Sequence, residues 1–485
     1  MPYWPEGEAG LALLYQAVAH GCRAGRYEEA CVEVYRDRIH RRDEFYATRK
    51  LGLYGTELSA VAHFFREPWC TPVAAPALAD SDRAWLLHVA AFHLRALGRL
   101  TEAVEPMQAT VEMRVTQQNW KEAASAARNL SELQQTLGAL RAAIAAGEAA
   151  VRHADASGEW TMRIVGHTTL AEARQQAGET AAALSGFAVA EALQGQRQPE
   201  YPRLYSLRGF RYCDALLQSA ERTAWAAGTG AAVEAAQRLE RLAELQAVEA
   251  RAAQTLAWVQ RANDPLSIAL DHLTQVRVSL YRSRLLAVSD PQAAATALQA
   301  ATDAAGQTVD GLRKASDDEF IVCGLLTRAC VHALNADADA ARADLDEAER
   351  IAERGGMKQF LADVHLHRAR LFDDRTALAA ARQLIDETGY ERRRGELDDA
   401  QCRLDGRAVV LPEFASVLAQ ARGENLPEPP TVKSPSFQDI RQQFKQLTWS
   451  RRILTVTAIL VAVPLMLIWQ ILAFPIKRLR KTRSS

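Results

Sequence analysis

Apolar residues recur at helical spacing along almost the whole of this chain. Three stretches carry the pattern in one phase: Leu94 to Met107 (LRALGRLTEAVEPM), Leu133 to Ala146 (LQQTLGALRAAIAA) and Ala173 to Gly186 (ARQQAGETAAALSG). In each, a small or apolar residue precedes a glycine, and Gly98, Gly138 and Gly178 stand 40 residues apart. Before the first glycine, Trp85, Val89, Phe92 and Ala96 form an apolar stripe. After it, Leu100, Ala103, Val104 and Met107 give the i, i+3, i+4, i+7 face of a second helix. Glycine ends the first helix at low cost because it accepts positive φ. The unit predicted is helix–turn–helix, and neither helix can bury its stripe alone, so neighbouring pairs are expected to stack.

The same unit is spelled more weakly elsewhere. Ala24-Gly25-Arg26-Tyr27 reads as a turn and second-helix start; Leu334-Asn335 leads into a helix from Ala338 to Ile351, and Phe372-Asp373 precedes another. Leu216 to Asp290 has long helical patterns with few turn signals, and no alternating run is long enough to suggest a sheet. The fold class expected is all-α, a helical-repeat solenoid over residues 1–405.

The chain changes character at its C-terminal end. Residues 406–435 read as a linker, Pro-rich from 423, with Pro427, Pro429, Pro430 and Pro435 favouring an extended spacer. Residues 436–452 follow with Phe437, Ile440, Phe444 and Leu447 on one helical face, an amphipathic juxtamembrane segment. Ile453 to Phe474 is 22 residues without a charge. As a helix it spans about 33 Å, against roughly 30 Å of hydrocarbon. A single transmembrane helix is expected there, with Trp449 and Trp469 near its two ends and a basic tail at 475–485. Flanking lysines and arginines are evenly divided, so charge leaves the orientation open. The N-terminal Met-Pro-Tyr-Trp-Pro has no basic start followed by an apolar stretch, and the large domain is therefore expected in the cytoplasm.

These features resemble the tetratricopeptide family, whose period of about 34 is shorter than the one here. Phrases such as Leu94-Arg95-Ala96-Leu97-Gly98, Asn129-Leu130-Ser131-Glu132-Leu133 and Gly209-Phe210-Arg211-Tyr212-Cys213-Asp214 go further. They are similar to the C-terminal repeat region of bacterial STAND-type (NACHT or AAA) signalling NTPases over roughly residues 10–400. Those proteins carry an NTPase ahead of their repeats, whereas this chain has no Gly-x-x-x-x-Gly-Lys-Ser/Thr phosphate loop. The resemblance implies a sensor or interaction role without the motor, which would be a separately encoded chain.

Composition narrows the classes. With 58 basic against 59 acidic residues the net charge is −1, and no nucleic-acid partner is expected. None of the seven cysteines forms a Cys-x-x-Cys pair, so reduced, mostly buried thiols are expected and a structural zinc site is not. His365 and His367, two residues apart on a helix, point away from each other and suit no shared metal. Asp337, Asp339, Asp344 and Asp346 lack the glycine and glutamate of a calcium loop and read as a solvated helix start. Arg392, Arg393 and Arg394 read as a small solvated basic patch. No nucleophile elbow or His-Glu-x-x-His occurs, so no catalytic residue, cofactor or metal is assigned.

The reading that results is a non-enzymatic, single-pass protein of a bacterial inner membrane. Its repeats bind a protein or peptide, and the lipid bilayer holds Ile453 to Phe474; self-association stays open. The alternative is a membrane effector whose transmembrane helices cluster on ligand binding and perturb the bilayer.

Overall fold

The computed structural model describes residues 2–74, 76–228 and 233–411. The juxtamembrane segment 436–452, the apolar run 453–474, the tail and most of the linker lie outside the described residues. Among the described residues no helix is long and apolar enough to cross a membrane.

The N-terminal unit holds α1 (Gly7–Arg23), α2 (Tyr27–Glu29), a π-helical stretch at Ala30–Ile39, α3 (Tyr46–Arg49) and α4 (Tyr54–Ala62). A small antiparallel hairpin of β1 (Phe65–Glu67) and β2 (Thr71–Pro72) follows, too short for any alternation to announce it. Then come the helix pairs: α5 (Asp80–Ala96) with α6 (Leu100–Thr116), α7 (Trp120–Thr136) with α8 (Leu140–Ser157), and α9 (Trp160–Gln176) with α10 (Thr180–Arg197). Next are α11 (Ser206–Ala227) with α12 (Ala235–Ala262), and α13 (Pro265–Leu286) with α14 (Pro291–Ala315). The last are α15 (Asp318–Leu334) with α16 (Ala338–Gly355), α17 (Lys358–Phe372) with α18 (Arg375–Thr388), and finally α19 (Arg394–Leu404). The all-α class and the repeated helix pairs match the sequence expectation.

The turns show why the pairs form where they do. Gly98, Gly138 and Gly178 have φ of 73°, 78° and 81°, and each sits in a Schellman-type cap. At the first, Arg99 N donates to Leu94 O at 2.9 Å and Gly98 N to Arg95 O at 3.0 Å. Asn119, Asp290, Asp337 and Asp374 cap the following helices through their side chains, and proline opens the first turn of α13 (Pro265) and of α14 (Pro291). Alanine faces allow close approach: along α8, Ala143, Ala146, Ala150 and Ala154 are buried, and a Cβ at Gly147 would sit 3.2 Å from the Leu170 backbone.

Each helix packs on the next, and from α7 onward the odd-numbered helices also touch one another, forming an inner layer. Inner helices are covered on several sides, which overturns the single-stripe reading of the first one. On α5, Ala84, Leu86, Leu87, Ala90, Ala91 and Leu94 are buried, whereas Phe92, placed on the expected stripe, is 45% exposed. The outer helix α6 keeps its predicted face, with Leu100, Ala103 and Met107 buried. The array also curls back on itself. Helix α17 meets α7, and residues 391–393 meet α9.

Candidate functional site: a charged chamber on the inner face

Curling brings the polar positions of the inner helices together. On α7 these are Arg128, Glu132 and Gln135, four and three residues apart; on α11 they are Arg211, Asp214 and Glu221, three and seven apart, so each set lies on one side of its helix. Residues 390–396 close the space from the C-terminal side. A cavity of about 70 Å³ is left, lined among others by Glu132, Glu172, Arg211, Glu319, Phe360 and Arg392. It has room for several waters, since one needs roughly 10–15 Å³.

Arginines and carboxylates in this chamber are mostly committed to each other. Asp214 takes Arg277 at 2.9 Å and Arg392 at 2.5 Å. Arg393 reaches Glu221 at 3.0 Å, Asp363 at 2.9 Å and Glu396 at 2.7 Å, while Glu396 also meets Arg370. Glu132 pairs with Arg128 at 3.0 Å and Arg211 at 3.2 Å. Arg222 and Asp399 form a two-pronged bond at 2.7 and 3.0 Å. The run Arg392-Arg393-Arg394 is therefore not the solvated patch expected from sequence. Arg392 and Arg393 are 6% and 7% exposed, because a 3-10 turn points them inward at carboxylates from α11 and α17. Only Arg394 stays partly in solvent, paired with Asp386 and Glu391.

Burial and pairing pull the acids apart electrostatically. For Glu132, burial opposes the charge, but Arg128, Arg211 and Arg95 overcome it and hold the carboxyl at about 2. Asp214 is held at about 2 in the same way by Arg392 and Arg277. Glu319, with no such partner in contact, is pushed by burial to about 7, with Arg211 offsetting only part of the effect. Glu172 is raised too, chiefly by burial, and its Oε2 has no hydrogen-bond partner.

A raised acid favours folding below its unfolded value, near 4.3, and that contribution is lost as pH rises through about 7. Glu319→Gln removes the loss. Its stability relative to the parent should grow by about 2–3 kcal/mol between pH 5 and pH 8. Urea unfolding at both pH values checks this, and a gap independent of pH would contradict the assignment. Asp271, pushed to about 7 by burial, titrates alike in both proteins and cancels.

The other singled-out residues are not gathered into a site. His367 is buried, its Nδ1 2.7 Å from Asp363 O and its ring edge-on to Trp225; burial pushes it down to about 4. His365 lies apart, 3.9 Å from Glu349. Asp337 caps α16, Asp344 takes Arg328 at 2.6 Å, and Asp346 takes Arg368 at 2.7 Å. All seven cysteines are free thiols, four of them buried. At the N-terminal end, Tyr3, Val34, Arg36, Phe45 and Trp85 line an open surface groove of about 660 Å³. The sequence did carry a partial signal for the chamber: Arg128, Glu132 and Gln135, and Arg211 and Asp214, recur at three- to four-residue spacing within helices. No protein-family model matches the chain, and no curated protein matches it.

Proposed function

We propose that this protein is a non-enzymatic interaction scaffold or sensor of tetratricopeptide type, held at a bacterial inner membrane by Ile453 to Phe474 with its repeats in the cytoplasm. The observation that carries the reading is the stack of helix pairs from α5 to α18, a form that offers extended surface rather than a reaction centre. Chamber side chains locked in mutual ion pairs support a structural role for that interior and argue against catalytic duty. They also redirect the search for the partner. Solenoids commonly lay a peptide along the concave face, but here Arg392 and Arg393 reach into the space between the inner helices and are paired with Asp214 and Glu221. A protein partner would then use apolar side chains left in solvent, among them Trp4, Phe92 and Leu239, which are 47%, 45% and 67% exposed.

Photo-crosslinking in intact cells tests this, with a crosslinking amino acid at Trp4, Phe92 or Leu239 of the full chain. The expected result is one discrete adduct of constant mass from at least one of these positions. No adduct from any of them, at full expression and correct membrane fractionation, would remove these exposed apolar positions as a docking site.

A further inference from the structure

A second cluster of chemistry-bearing side chains lies in the N-terminal unit, away from the chamber. His40 follows the π-helical stretch, Glu57 lies on α4 and His93 on α5. All three are essentially sealed from solvent, at 1%, 0% and 1% exposure. One ligand atom from each lies within 4.8 Å of the other two. His40 Nε2 is 2.7 Å from Glu57 Oε2, and the Tyr35 hydroxyl is 3.2 Å from the first and 2.8 Å from the second. Tyr15 donates to the other carboxylate oxygen at 2.5 Å.

Two features set this group apart from an ordinary buried ion pair. First, Nδ1 of His93 is buried without a hydrogen-bond partner, which costs a desolvated polar atom of order 1–3 kcal/mol if nothing else satisfies the ring. Second, one donor atom from each of His40, Glu57 and His93 lies within 4.8 Å of the other two, near enough for small side-chain shifts to bring all three onto one ion. A tetrahedral ion with bonds of about 2.0–2.2 Å to nitrogen and oxygen has ligand–ligand edges of roughly 3.3–3.5 Å. The Tyr35, His40 and Glu57 triangle, at 2.7 to 3.2 Å, needs only a slight opening to match.

We propose that His40, Glu57 and His93 form a binding site for one divalent transition-metal ion of the zinc class, with the Tyr35 hydroxyl as fourth donor and Tyr15 orienting the carboxylate. The ligand set is two imidazoles and oxygen donors, which suits zinc and excludes the all-oxygen preference of calcium or magnesium. A closed, dry four-donor site is structural, so the ion would pin α4 and α5 to the π-helical stretch. Short-range spacing rules cannot see it, because its ligands come from three separate elements.

The test is metal content. The full chain is purified in detergent without chelator, and a second sample is stripped with EDTA, incubated with Zn²⁺ and desalted. About one retained equivalent per chain, falling at least several-fold in His93→Gln and unchanged in His365→Gln, supports the site. Cobalt(II) replacement on the unaltered chain should give the intense visible absorption of a tetrahedral site, a readout that does not depend on any variant folding. Retention below about 0.1 equivalent by the correctly folded parent, or retention undiminished in a folded His93→Gln, would overturn it.

Discussion

Replacing Arg393 with methionine should cost about 3–5 kcal/mol of stability, among the largest effects of any single surface-free substitution in this chain. The guanidinium stands between carboxylates from three elements: Glu221 on α11, Asp363 on α17 and Glu396 on α19. Methionine keeps most of the volume, so the loss is chiefly electrostatic: a buried acidic group is left with fewer counter-charges and must either protonate or draw in water. Burial alone opposes ionisation of Glu396, and Arg370 and Arg393 together hold it well below the usual carboxylate range. The internal control is the next residue. Arg394→Met breaks only pairs with the half-exposed Asp386 and Glu391 and should change stability by no more than about 0.5 kcal/mol. Urea titration of the full chains in detergent, followed by far-UV circular dichroism, measures both. Equal effects at the two positions would mean that residues 390–396 do not close the inner face.

The second large effect is expected at a turn glycine. Gly98→Ala and Gly138→Ala both force a β-carbon into the left-handed region, at φ of 73° and 78°, which costs roughly 1–2 kcal/mol. At Gly98 nothing lies within 4 Å of the new atom, so that is the whole cost. At Gly138 it would stand 2.5 Å from Thr388 Cγ2 and 3.2 Å from Lys358 Cβ. Overpacking of this kind adds about 1–3 kcal/mol. Gly138→Ala should therefore be the more damaging by that margin, and Thr388→Ser, which deletes the offending methyl, should recover part of the loss. A matched pair of glycine variants would show that the α7–α8 turn does not touch the C-terminal helices.

Where the sequence was legible, the turn chemistry made it so. Three glycines at one spacing marked three real helix ends, whereas the helix starts at Asp264-Pro265 and Asp290-Pro291 went unread in the stretch with few turn signals. Elsewhere the same backbone event is carried by residues that do not advertise it. Gln118, Asn263, Ser316, Ala336 and Asp373 all adopt left-handed φ at helix ends. At Ala336 the cap is the same as at the glycines, with Asp337 N donating to His332 O at 3.0 Å. That is why the later repeats looked poorly spelled although their geometry is regular. The chamber was harder to foresee, because it depends on how far the array curls. A run of three arginines reads the same whether it meets water or Asp214, and only the return of α17 and residues 391–393 onto α7 and α9 decides between them. The His40, Glu57 and His93 cluster was out of reach for the same reason: contacts between distant elements leave no local period.

The most direct test of the membrane-held scaffold is protease protection on sealed inner-membrane vesicles of known orientation, with an epitope tag at each end of the full chain. The account predicts that protease added to the cytoplasmic face destroys the N-terminal tag and the helical array, while a small fragment carrying the C-terminal tag survives until detergent is added. Protection of the helical array, or release of the intact chain by alkaline carbonate, would contradict it.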